Sequence, residues 1–61
     1  MGLMYLHELS TVDGKWYTIE VTDNKDEMRR KWDERWKAGA AGLRMMETVV
    51  QAEKIRQKPP S

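Results

Sequence analysis

At 61 residues, with eleven Lys and Arg against ten Asp and Glu, the chain has room for one core and carries a formal net charge of only +1. That balance excludes the electrostatic footprint of a protein built to coat DNA or an anionic membrane. The absence of cysteine, and a single histidine, exclude disulfides and a His/Cys metal cluster as staples.

A chain this short buries only about 60% of its unfolded surface, which makes a second polypeptide a natural source of further stability. No apolar run is long enough for a membrane span or a signal-peptide core, and with no cysteine the reading is a cytoplasmic protein without membrane contact.

From Leu3 to Thr11 and from Lys15 to Val21 the residues alternate and are rich in aromatic and β-branched types, with Val12-Asp13-Gly14 between them. This pattern predicts a β-hairpin. A two-residue Asp-Gly turn puts Leu6, Glu8 and Ser10 on one face with Val21, Ile19 and Tyr17, which drives charge into the core. A three-residue loop, with Gly14 in the left-handed region, pairs Leu9 with Tyr17, His7 with Ile19 and Tyr5 with Val21. The second register gathers Leu3, Tyr5, Leu9, Tyr17, Ile19 and Val21 on the inner face and is adopted, since a one-residue slip reverses every side chain. Its outer face then carries Glu8, Ser10, Thr18 and Glu20, but also Leu6 and Trp16.

The stretch Asn24 to Ala38 predicts a helix, because Met28, Trp32 and Trp36 recur at i, i+4 and i+8 as one apolar stripe. Asn24 with Glu27 three residues on is a capping-box pattern, and Gly39 is a natural stop. Asp26–Arg30, Glu27–Lys31 and Asp33–Lys37 are acid-before-base pairs four residues apart.

Residues 43–55 read two ways. As a strand they complete a ββαβ α+β fold, which is adopted; as a helix, with Met45, Met46, Val49, Val50 and Ala52 on one side, they give a hairpin plus two helices. Residues 1–58 form the single domain, and 59–61 a disordered tail.

His7 reads as a packed or rim histidine, with ligand binding or pH sensing as the sharper alternative. The chain has no Ser/His/Asp order, no Gly-rich phosphate loop and no metal-ligand spacing, so the expectation is a non-enzyme without cofactor or metal. Three tryptophans are its most unusual feature. Trp32 and Trp36 serve the core, while Leu6, Trp16 and Glu20, on the outer face, are the candidate protein-binding surface, since tryptophan dominates interface hot spots. Arg29, Arg30 and Arg35 beside the helix tryptophans are the alternative, a nucleotide- or nucleic-acid-binding set; the interleaved carboxylates favour a solvated, salt-bridged face instead. A third reading is a structural homo-oligomer with no outside ligand.

In its size, lack of cysteine and hairpin–helix–strand build, the chain resembles small bacteriophage host-takeover proteins, the class that includes polymerase inhibitors and anti-defence proteins such as anti-CRISPRs. The resemblance rests on general make-up, and no functional residue is carried over from it. It implies an inhibitor that binds a bacterial host protein or captures a signalling molecule.

Overall fold

The computed structural model describes residues 2–57. Asn24 caps the helix α1, Lys25–Lys37, its side-chain oxygen accepting from the backbone N–H groups of Asp26 at 2.9 Å and Glu27 at 3.1 Å. The box closes through a third residue: the Thr22 hydroxyl accepts from the Asn24 N–H and donates to the Glu27 carboxylate, each at 3.1 Å. At the other end Gly39, at φ +100°, lets the Gly39 N–H reach the Trp36 carbonyl and the Ala40 N–H the Arg35 carbonyl, which is a Schellman stop. The predicted i, i+4 ion pairs give way to others, as Arg30 instead reaches Glu34 at 3.1 Å and Glu27 at 3.9 Å.

The strands are β1 (Met4–Leu9), β2 (Trp16–Thr22), β3 (Gly42–Met46) and β4 (Val50–Ile55). They form one sheet in the order β2-β1-β3-β4, each neighbouring pair antiparallel. The α+β class stands as expected, with four strands in place of three. Because β2 and β3 both run against β1, they run parallel to each other, and α1 carries the chain from one to the other across the face of β1.

The first hairpin keeps Gly14 in the left-handed region, at φ +72°. Its loop is one residue longer than predicted: the Gly14 N–H bonds the Ser10 carbonyl, and the Ser10 N–H the Lys15 carbonyl. Tyr5 faces Val21 as expected, but toward the turn His7 pairs with Thr18 and Leu9 with Trp16, because Ile19 is an unpaired bulge.

Two differences correct the predicted faces. The bulge takes Tyr17 and Ile19 off the face of Tyr5 and Leu9 and puts Trp16 on it, and the helix packs on the opposite face, so that Leu6 and Glu20, placed outside by the alternation argument, pair on the side that it covers. Leu6 is fully buried with Met28, Leu43 and Ala40; Met4, Met45, Trp32 and Trp36 close around them. The helix stripe is as predicted, while the sheet presents it Met4, Leu6, Leu43 and Met45 rather than Tyr5 and Leu9.

Residues 43–55 are neither one strand nor a helix. They form a second hairpin, turning at Glu47-Thr48-Val49, with Gln51 as an unpaired bulge. The Arg56 and Gln57 N–H groups both bond the Ala41 carbonyl and tie the end of β4 to the helix–β3 connection. The expected tail, 59–61, lies outside the described residues.

Candidate functional site

The helix covers one face of the sheet, and among the described residues nothing covers the other. Strand pairing arranges that uncovered face in three rows across β2, β1, β3 and β4. The first row is apolar: Val21, Tyr5, Met46 and Val50. The middle row is polar: Thr18, His7, Arg44 and Glu53. The third is apolar again: Trp16, Leu9, Gly42 and Ile55.

The middle row satisfies itself. Thr18 Oγ1 and His7 Nδ1 are 3.0 Å apart, and two N–H groups of Arg44 converge on Glu53 Oε1 at 2.6 Å. The His7 ring stacks on Tyr5 at 6.4 Å between centroids. Row three contains a small core of its own. Trp16 lies across Leu9 and the backbone of Gly42, and it leaves Leu9 only 3% exposed. A side chain at position 42 would crowd that space, since a Cβ there stands 3.2 Å from both Leu9 Cβ and Trp16 Cη2 and one of them must give way by a few tenths of an ångström. The Arg44 guanidinium sits 4.1 Å from the Trp16 ring centroid. What remains open are Val21, Val50 and Ile55, each about half exposed (47, 45 and 50%).

Of the predicted contact surface, Trp16 alone lies here. Leu6 is core, and Glu20 pairs with it on the helix side, so the three do not form one surface. The arginine set is likewise dispersed. Arg35 is held by Glu8 across the helix–sheet junction at 2.8 Å, Arg30 by Glu34, and Arg29 is exposed on the outer side of the helix near Asp26 and Asp33. The Trp36 ring faces cations of its own chain, Arg56 at 3.8 Å and Lys54 at 4.6 Å. A depression of about 350 Å³ beside Arg35, lined by Glu8, Tyr17 and Ile19, is open to solvent and its cation is already neutralised.

Sequence reasoning missed Val21, Val50, Met46 and Ile55 as a surface. The signal was present in part, since Val21 and Tyr5 were paired correctly; the strand order that adds Met46 and Val50 to their row was not.

At the first hairpin, a hydrogen bond from the Tyr17 hydroxyl, then one from the Lys15 N–H, holds the Asp13 carboxyl below its usual range. The same bond to Asp13 raises Tyr17. Among the described residues no three His, Cys, Asp or Glu side chains are grouped to hold a metal ion, and no helix is long and apolar enough to cross a membrane. No protein-family model matches the chain, and neither a curated protein nor a solved structure shows significant similarity to it.

Proposed function

We propose that this is a non-catalytic protein-binding module that engages another protein through the uncovered face of its sheet. One observation carries the reading: two apolar rows, each spanning the whole sheet and between them exposing Val21, Val50 and Ile55, flank a polar row whose groups are already paired. On such a face the pairing of Arg44 with Glu53 offsets part of the cost of dehydrating the polar row, and the gain comes from burying valine, isoleucine and tryptophan. An inhibitor that works by occlusion needs no more than such a face, in keeping with the resemblance to host-takeover proteins.

Binding of a nucleotide or nucleic acid through Arg29, Arg30 and Arg35 has less support. Two of the three are neutralised by carboxylates, and Trp36 and Trp16 each have a ring face occupied by cations of this chain.

The test is capture by immobilised protein, comparing the wild type with Ile55→Lys on the uncovered face and Asp33→Lys on the helix, the bound fraction being weighed by native mass spectrometry. A captured protein, a differently tagged copy of the chain included, should be lost with Ile55→Lys and kept with Asp33→Lys. Equal capture by all three would remove the face from the function.

A further inference from the structure

We infer that the protein seated on this face is a second copy of the chain, packed sheet to sheet about a two-fold axis that runs along the strands between β1 and β3. The inference rests on the reading of the uncovered face as an interface, and it adds the occupant.

Three observations carry it. First, the edges of the sheet are closed to growth. Both bulged strands, β2 at Ile19 and β4 at Gln51, are the edge strands, and a bulge interrupts the row of N–H and C=O groups that an added strand needs. Contact is therefore directed to the face.

Second, the face matches itself under that axis. The rotation sets β2 over β4 of the second copy and β1 over its β3, so each row meets the same row in reverse order. Trp16, whose ring already covers Leu9 and Gly42 of its own chain, falls on the half-exposed Ile55, apolar on apolar. Tyr5 falls on Met46 and Val21 on Val50 in the same way. In the polar row Thr18 falls on Glu53 and His7 on Arg44, so neither carboxylate meets a carboxylate nor guanidinium a guanidinium. An axis running along the rows instead sets Arg44 on Arg44 and Glu53 on Glu53, which like-charge repulsion disfavours. Aligned sheet packing of this kind is the ordinary geometry of β-sandwiches.

Third, the area suffices. Four strands at about 4.8 Å spacing and three rows about 6.8 Å apart make a face of about 400 Å² in projection. Two such faces bury about 800 Å² in projection and about 1,000 Å² with the relief of their side chains, which reaches the lower limit of a biological interface and makes a dimer that dissociates on dilution. The chain has reason to use it: among the described residues the buried apolar ones number six, two of them alanines, and a second copy is a partner present wherever the chain is made.

The native absence of cysteine makes the test clean. Val21 and Val50 lie on opposite edge strands, three spacings or about 14 Å apart within one chain, and a disulfide needs Cα atoms within about 7 Å. With one cysteine per chain, a link between these positions must join two copies. The wild type should show twice the chain mass at the concentrated end of a dilution series by sedimentation and native mass spectrometry. Ile55→Lys should return it to the single mass with the CD spectrum unchanged. Facing sheets stand about 10 Å apart, beyond disulfide reach but within that of a short bismaleimide, so an equimolar mixture of the single variants Val21→Cys and Val50→Cys should be joined by that reagent into a covalent dimer, which neither variant alone gives as fully. A doubled mass without that cross-link overturns the face-to-face arrangement. A single mass at every concentration overturns the second copy; if a foreign protein is then captured and lost with Ile55→Lys, the binding face stands without it, and if nothing is captured both fall.

Discussion

The two faces of the sheet use the same residue types and come to opposite ends. Under the helix, Leu6, Leu43 and Met28 reach complete burial with no charge among them. On the other face the apolar residues are as numerous, yet only Leu9 is fully enclosed, and a polar row runs through the middle. Apolar content alone does not distinguish the two faces. On the helix side the charges Glu8, Glu20 and Lys54 border the covered patch, where Arg35 pairs with Glu8, whereas on the other face Arg44 and Glu53 stand in the middle row.

That comparison breaks most easily at Leu6. Leu6→Ala should cost about 2–5 kcal/mol, a large part of the stability of a domain this size, whereas Val21→Ala on the other face should cost about 0.5 kcal/mol or less in dilute monomer. Urea unfolding measures both, and equal losses would mean the faces are misassigned. Gly42→Ala sharpens the contrast within the uncovered face. The new methyl meets Leu9 and Trp16, so a loss of about 1–3 kcal/mol is expected, with a shifted Trp16 indole N–H resonance in the NMR spectrum. An unmoved indole signal would place Trp16 elsewhere. Asn24→Ala removes the acceptor of two N–H groups at the start of the covering helix and should cost about 1 kcal/mol, read as a lower melting temperature.

The smallest effect is one of pH. Asp13 is lowered in the fold, so its contribution is present above the ordinary carboxyl value of 3.8 and fades as pH falls through the lowered value. Tyr17 is raised, so its contribution is present below 10.0 and fades as pH rises through the raised value. Melting temperature against pH should therefore flatten slightly at both extremes in Tyr17→Phe relative to the wild type; identical profiles would show that the hydrogen bond does not link the two groups in solution.

The helix was legible because its signals are local: a stripe at i, i+4 and i+8, an asparagine before it and a glycine after it. The turn at Gly14 was legible for the same reason. Ile19 was not, since nothing in Tyr17-Thr18-Ile19-Glu20 marks a bulge; it is set by the longer loop at one end and the Tyr5–Val21 pair at the other. The second hairpin was missed because Glu47-Thr48-Val49 contains no glycine, proline, asparagine or aspartate, and it turns where the pairing of β3 with β1 ends, at Tyr5 and Met46. Trp16 stood out as one tryptophan that the helix stripe could not use, but its neighbours on the face come from all four strands, and only their order across the sheet brings them together.

The crossing of α1 from β2 to β3 also sets an order of events in time. Each hairpin can close from contacts near in sequence, but neither is stable alone. The pairing that joins them links Tyr5 to Met46 and Glu8 to Leu43, 41 and 35 residues apart, and the entropy of closing that loop comes before any reward from it. During synthesis β1 must therefore wait with one side unpaired until β3 has emerged, so the rate of folding is governed by the meeting of β1 and β3, and substitutions at Leu43 should slow folding more than those at Ile55.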